Sequence, residues 1–229
     1  MREYNSFSTA QTTSLSGFMN KVYLFMTLGL LVTAAIAFYF HQHPWLSQAI
    51  MRSHYAFYGI IIAQLGSWFV FSRAVRNLNA PLCFLLFLTY SVLTGLTFGI
   101  ISFVYTAENI GYAFAITAGS FFGLSLIGYV VKKDLQAVGT FCIMGLWGLI
   151  IESILALFIP ALRGNTMELT MGAIGVIVFS GLTAYDTQKI KSMAVYAPNQ
   201  EVAAITGAFM LYLDFINLFL SILRLFSRR

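Results

Sequence analysis

Three acidic residues lie inside long apolar stretches of the sequence, where a charge is energetically costly. They are Glu152, Asp186 and Asp214. If these stretches cross a membrane, each charged side chain costs about 2.5–3.5 kcal/mol or more, so it needs a polar partner, water or a proton. Such acids are the first candidates for a functional site. The other acids fall in the tail or in connections, where solvation explains them: Glu3, Glu108, Asp134, Glu168 and Glu201.

Asp214 belongs to a polar stripe along the last apolar segment. Asn217, Ser221 and Arg224 follow it at offsets of three, four and three residues. These offsets place the side chains on one face of a helix. Such a face cannot point to lipid without leaving its polar groups unsatisfied. We therefore expect the stripe to face other helices or a water-filled cavity.

A matching polar face lies on the preceding segment, where Thr183 and Asp186 share a three-residue spacing. Polar faces of neighbouring helices are expected to meet, which would bring Asp186 and Asp214 together. Mutual repulsion and desolvation would then favour one proton held between the two carboxyl groups, so that pH changes their geometry. The alternative is that each aspartate separately accepts hydrogen bonds from Ser, Thr, Tyr or Arg and only fixes helix packing.

The other candidate site residues have supporting roles. Glu152 stands alone in its helix, where a structural hydrogen bond explains it as well as an ion pathway does. Arg73 and Arg76 lie at the end of the second apolar segment. They are either charges that set the topology or a salt-bridge latch that reaches across to Asp186.

Enzyme activity and a resident cofactor are not expected. All three histidines, His41, His43 and His54, lie in the first connection, where a solvated loop explains them more simply than a weak metal site. No membrane-embedded histidine site or serine–histidine dyad can therefore form. Only Asp186 and Asp214 are candidate metal ligands, as transient ligands of a hard cation such as Ca²⁺.

Composition predicts an all-α integral membrane protein. Of the 229 residues, 59% are hydrophobic and 9% are charged, whereas about a quarter of a soluble domain is charged. The 13 basic residues are spread over connections, which argues against a nucleic-acid partner and leaves the lipid bilayer as the expected surroundings. Seven segments approach the ~20 residues that a bilayer requires. We place them at 22–40, 56–72, 81–103, 110–131, 137–159, 170–190 and 203–224.

The sequence thus divides into a polar tail, 1–20, and a single seven-helix transmembrane domain, 21–229. Eight of the 13 Lys and Arg residues lie on the side of the N-terminus. This bias predicts a cytoplasmic N-terminus and a C-terminus on the opposite side.

Small residues at four-residue spacing predict where helices touch inside lipid. Gly95 with Gly99 forms one such pair, and Gly119 with Gly123 forms another.

The predicted depths of the two aspartates in the membrane do not favour contact between them. Within the predicted spans, Asp214 lies about eleven residues from its helix start and Asp186 about four from its helix end, a mismatch of roughly 10 Å. Contact between them requires helical extension over residues 201–207 or a tilted helix.

The segments around the two aspartates resemble the C-terminal signature of the Bax inhibitor-1 (TMBIM) family. These segments are YDTQ at 185–188 and LYLDFINLF at 211–219. Residues 21–30, 63–64 and 94–97 are similar to the bacterial inner-membrane branch of that family. The resemblance covers essentially the whole chain.

The resemblance implies seven helices, with the last helix central and wrapped by the other six. It also implies that Asp186 and Asp214 form a pH sensor coupled to calcium permeation, latched by an arginine that here is Arg73 or Arg76. Some members carry an acid in the second helix where this chain has Gln64, so an acidic pore contact there is not expected.

From these patterns we expect a pH-sensitive calcium or cation leak channel of the bacterial inner membrane, gated by protonation of the aspartate pair. The rival hypothesis is a membrane interaction protein that binds another membrane protein, such as a quality-control protease or a stress or cell-death regulator. The acids would then serve packing alone. A third hypothesis is proton-coupled transport.

Overall fold

The computed structural model describes the backbone of residues 2–159 and 164–226, with side chains from residue 15 onwards except at residues 54, 57 and 157. Within these ranges every secondary-structure element is a helix, and seven of the helices are long and apolar enough to cross a membrane. The expected all-α membrane fold is therefore confirmed. The helices are α1 Arg2–Gln42, α2 Pro44–Arg52, α3 His54–Arg76, α4 Ala80–Ile101, α5 Ala107–Val130, α6 Gln136–Phe158, α7 Asn165–Tyr196 and α8 Gln200–Leu225.

Each predicted span corresponds to one apolar helix, but several helices are longer than predicted. The apolar part of α1 begins at Leu15, and the helix itself continues back through the predicted tail. At the other end of the chain, α7 continues to Tyr196 and α8 begins at Gln200. The short helix α2 was not predicted. It lies in the connection assigned to a loop and starts with Pro44, a residue favoured in the first turn of a helix.

The chain forms two compact units. The first comprises Met1–Val104 and Ile190–Tyr212, and therefore holds α1 to α4, the end of α7 and the first half of α8. The second comprises Tyr105–Lys189 and Leu213–Arg229, which hold α5, α6, most of α7 and the second half of α8.

In the first unit, α1 and α4 pack closely through glycines. A Cβ atom on Gly95 would lie 2.7 Å from Ile36 Cβ and 2.8 Å from the carbonyl oxygen of Thr33. Gly99 likewise lies against Phe40. The predicted contact face at Gly95 and Gly99 is confirmed, because only glycine leaves room for the facing helix.

The second predicted contact face is wrong. Gly119 and Gly123 lie on α5, and a Cβ atom at either position would meet no atom of the described residues within 4 Å. Glycine is frequent in membrane helices for several reasons, so its spacing alone did not distinguish a contact from an open surface.

Helix α8 is by far the most buried of the seven. In its apolar part 78% of the residues are buried, compared with 39% or less in each of the other six helices. In the first unit, the ring of Phe209 packs edge-on against Phe71 and Tyr90, at centroid distances of 4.5 and 5.0 Å. In the second unit, Phe215 packs against Phe121 at 5.4 Å. This burial agrees with the inner position that the family resemblance implies.

An ion pair within the first unit joins α1, near the start of its apolar part, to the first turn of α8. Lys21 Nζ lies 3.6 Å from Glu201 Oε1, and both side chains are about half exposed. In a chain that crosses a membrane seven times, the first and last spans run in the same direction and start on the same side. The ion pair is in agreement with that topology.

The glycine contacts predict opposite effects for one substitution at two sites. Gly95→Ala should lower the free energy of unfolding by about 1–3 kcal/mol, because the methyl group meets the backbone of α1. Gly119→Ala should leave it unchanged or raise it by up to about 1 kcal/mol, since alanine is the better helix former. Unfolding in detergent micelles, followed by far-UV circular dichroism, measures both. Equal stability of the two variants would contradict the close approach of α1 and α4.

Candidate functional site

The two candidate aspartates lie in the same unit, one on α7 and the other on α8. Asp186 lies ten residues before the last residue of α7, Tyr196, and Asp214 lies fourteen residues after the first residue of α8, Gln200. The offsets differ by four residues, or about 6 Å along upright helices. The mismatch inferred from sequence is smaller because both helices extend beyond the predicted spans.

Asp214 is the buried member of the pair. Its side chain is 5% exposed, and its Oδ2 atom accepts no hydrogen bond from the described residues. Asp186 on α7 and Cys142 on α6 lie close enough to interact with it electrostatically. A buried carboxylate oxygen that lacks a donor is unfavourable while it is charged. This position is therefore suited to carrying a proton or contacting a cation.

Asp186 is partly buried and interacts electrostatically with Lys189, one turn further along α7. The next residue after Asp186, Thr187, is fully buried. Its hydroxyl lies 3.3 Å from that of Ser125 on α5 and also donates a hydrogen bond to the carbonyl of Thr183. The Asp186 turn is thus joined to α5 by a hydroxyl pair.

Two glycines bring the neighbouring helices against the same turn. Gly128 of α5 lies against the carbonyl of Ala184, and a Cβ atom there would collide with it. Gly139 of α6 faces the ring of Tyr185, which would lie 2.6 Å from an added Cβ. The backbone that carries Asp186 is therefore packed on two sides with little free space.

The predicted supporting residues Thr183, Asn217 and Ser221 form hydrogen bonds within their own helices. Thr183 Oγ1 donates to the carbonyl of Phe179 at 2.7 Å, and Asn217 Nδ2 donates to that of Leu213 at 2.8 Å. Ser221 Oγ donates to the carbonyl of Asn217 at 2.7 Å. These bonds are made within one helix and do not join the residues to the aspartate pair.

Two cavities open beyond the polar stripe of α8. One, of about 260 Å³, is lined by Asn217, Ser221 and Arg224 together with apolar side chains. The other, of about 330 Å³, is lined by Glu152, Glu168 and again Arg224. Glu152 is therefore not isolated, and Glu168, set aside as a solvated acid, lines the same cavity. Folding brings these acids together from α6 and α7, which sequence spacing could not reveal.

The candidate latch residues lie in the first unit. Arg73 and Arg76 occupy the last turn of α3, and both are exposed. Their role as a latch for Asp186 stays a prediction. Among the residues whose side chains are described, no three His, Cys, Asp or Glu residues come together as a metal site.

A buried cluster of hydroxyl groups in the first unit was not predicted. The Tyr212 hydroxyl lies 2.7 Å from Thr33 Oγ1, which donates to the carbonyl of Ser91 at 2.9 Å. Gln64 Nε2 donates more weakly to Thr94 Oγ1, at 3.4 Å. The signal available in the sequence was a Gln and several hydroxyl residues in apolar spans, but their partners are far apart in the chain. The cluster fixes α8 two residues before Asp214.

Fold and site together define a helical integral membrane protein with two interacting acids in its spans. Residues 15–229 match the family model described as inhibitor of apoptosis-promoting Bax1. The chain belongs to the Bax inhibitor-1 family, as its aspartate motifs indicated.

Related proteins match over nearly their full lengths. The chain is 41% identical over 220 residues to the inner membrane protein YbhL of Escherichia coli K12, covering 94% of this chain and 93% of the relative. It is 37% identical to a protein of Borreliella burgdorferi, covering 93% and 92%. It is 34% identical to a membrane protein of Streptococcus pyogenes serotype M1, covering 96% of each. The chain is thus an integral membrane protein with an inner-membrane relative.

The environment of Asp214 predicts a pH-dependent effect on stability. Asp214→Asn should raise the free energy of unfolding at neutral pH by about 1–3 kcal/mol, because it removes a buried carboxylate that lacks a donor. The gain should shrink as pH falls, since the wild-type carboxyl then takes up a proton. Thermal unfolding in detergent across a pH series measures this.

Asp134→Asn is the matched control. Asp134 is exposed, and its Oδ1 accepts the backbone N–H of Gln136 at 2.9 Å, a bond that Asn also forms. This variant should show no comparable trend with pH. A pH-independent effect of Asp214→Asn would contradict this prediction, because it would mean that the wild-type carboxyl binds its proton equally in the folded and the unfolded protein over the range tested.

Proposed function

We propose that this protein is a pH-sensitive cation leak, with Ca²⁺ as the permeant ion, gated by protonation of Asp186 and Asp214. The observation that carries the proposal is the environment of Asp214. Its side chain is 5% exposed, one carboxylate oxygen has no donor among the described residues, and a second acid, Asp186, interacts with it electrostatically. A purely structural aspartate would be expected to have its oxygens satisfied.

The proposed gate works through charge. With a proton on the pair, the two carboxyl groups carry one negative charge at most and can stay close together. Loss of that proton leaves two charges that repel and require hydration. Because the Asp186 turn is packed tightly against α5 and α6, we expect the part of α8 that follows Tyr212 to shift, opening a path towards the cytoplasmic side.

Calcium fits the chemistry of this path. Ca²⁺ prefers six to eight oxygen ligands in a tight site, and the pair supplies two carboxylates. Asn217 and Ser221 add polar oxygens further along the same face of α8. An incomplete ligand set favours transient contact over tight binding, as permeation requires.

The proposed orientation places the N-terminus in the cytoplasm and the C-terminus on the opposite side. Because the first helices usually set topology and basic residues favour the cytoplasm, a reporter active only outside the cytoplasm should function when fused after residue 229. The same reporter should be inactive when it is fused within the 131–135 connection. Reporter activity in intact cells measures both, and the reverse pattern would invert the proposed direction of the gate.

Calcium flux into proteoliposomes tests the gate directly. Wild-type flux should rise as the pH changes from acidic to mildly alkaline. Asp186→Asn and Asp214→Asn mimic the protonated state, so each should lose the pH dependence. At high pH we expect each to leak at no more than about a tenth of the wild-type rate, as a disfavoured state is populated at about 10% or less.

Asp134→Asn again serves as the matched control and should follow the wild-type curve. Flux with unchanged size and pH dependence in both gate variants would reject the sensor. Wild-type protein that shows no flux at any pH, yet captures a stoichiometric partner from native membranes, would favour the interaction-protein hypothesis. Uphill solute movement driven by an imposed pH gradient would instead indicate proton-coupled transport.

A further inference from the structure

A single side chain of α7 holds the loop between α5 and α6, residues 131–135. Gln188 Oε1 accepts the backbone N–H of Leu135 at 2.9 Å. Its Nε2 donates to the carbonyls of Val131 at 3.2 Å and Lys133 at 2.9 Å. A Gln amide offers two N–H donors and one carbonyl acceptor, and all of these are used on this loop.

These bonds satisfy backbone groups that helix ends leave open. Val131 follows the last residue of α5, and Leu135 precedes the first residue of α6. Free carbonyls at a helix C-terminus and free N–H groups at an N-terminus need partners, and Leu135 has no side chain that could supply one. Gln188, on α7, therefore supplies hydrogen-bond partners to the end of α5 and the start of α6.

Gln188 lies two residues after Asp186, in the same turn of α7. That turn already contacts α5 through Thr187 and α6 through Tyr185. The 131–135 loop is a third contact of this turn, made by the Gln188 amide. Loss of these bonds would release the end of the turn that carries Asp186.

We propose that Gln188 is a positioning residue for the aspartate pair. By tying the 131–135 loop to the Asp186 turn, it keeps Asp186 at the distance from Asp214 at which the two charges interact. This inference deepens the proposed function, because it concerns the same pair and its response to pH. The other charged and titratable groups that interact with the pair are Lys189 on α7, with Asp186, and Cys142 on α6, with Asp214. The loop carries Lys132, Lys133 and Asp134, all of them exposed.

Carbodiimide labelling tests the proposal without requiring any flux. Dicyclohexylcarbodiimide reacts with protonated carboxyl groups in apolar surroundings, and mass spectrometry locates the product on Asp186 or Asp214. Gln188→Met keeps a side chain of similar length but removes all three hydrogen bonds. Its labelling midpoint should move to lower pH by about one unit, the size of one lost interaction of 1.4 kcal/mol, because weaker repulsion lets the second proton leave more easily.

Gln136→Ala is the matched control, since Gln136 lies exposed at the start of α6 beside the same loop. It should keep the wild-type midpoint. Gln188→Ala is the second test variant and should shift the midpoint in the same direction. A correctly folded Gln188 variant with the wild-type midpoint would overturn the positioning role.

Hydrogen exchange on the wild-type protein is a second test of the proposal, and it needs no variant. After correction for intrinsic rates, the amide of Leu135 should stay protected at pH values on both sides of the labelling midpoint. Loss of that protection at the midpoint would overturn the proposal, because the loop would then separate from the Asp186 turn. Absence of calcium flux from wild-type liposomes would reject the leak function but leave both of these readings intact.

Discussion

A carboxylate oxygen buried in a membrane helix without a donor is the constraint on which the site depends. Asp214 Oδ2 is in this position, in a helix most of whose length is buried. In hydrocarbon such a group cannot remain charged at low cost, so its protonation state depends on its surroundings. The packing of α8 and the proximity of Asp186 both set the cost of a charge on this atom.

The two members of the pair are supported differently. The Asp186 turn contacts α5 and α6 through glycines, a hydroxyl pair and the Gln188 amide. Asp214 lies on a face whose other polar residues, Asn217 and Ser221, bond within α8. Bonds internal to a helix travel with it when it moves, whereas bonds between helices oppose movement. Within the second unit, the side chain of Asp214 is therefore less restrained than the Asp186 turn, while the Tyr212 hydroxyl holds α8 in the first unit.

Much of the fold was predictable because bilayer thickness imposes a length and a composition on each span. Hydropathy located all seven apolar helices and the aspartates within them. It could not locate the helix ends, because α7 and α8 continue beyond the apolar segments under the control of local capping, as where Asn199 Oδ1 accepts the N–H of Glu201. It also missed α2, which has only nine residues and is too short for a hydropathy signal.

The other limit on prediction was that many side chains contact partners far away in the sequence. Glycine spacing predicted the helix contact correctly at Gly95, which packs against Ile36. It predicted a contact wrongly at Gly119, where no described residue lies close. The bonds of Gln188 and of Tyr212 join residues dozens of positions apart, and no periodicity in the sequence indicates them. The YDTQ motif marked Gln188 as part of a signature without indicating what its side chain contacts.

The hydroxyl cluster around Tyr212 and Gln64 has an electrostatic consequence. The three acids that lie away from the helix ends, Glu152, Asp186 and Asp214, all belong to the second unit, whereas the hydroxyl cluster of the first unit contributes neutral oxygens from Thr, Ser, Tyr and Gln. A divalent ion stripped of its hydration water would meet dipoles in the first unit but compensating negative charge only in the second. Compensation for the charge of a dehydrated cation would therefore come from carboxylates within the second unit, whereas the hydroxyl cluster of the first unit could only solvate it.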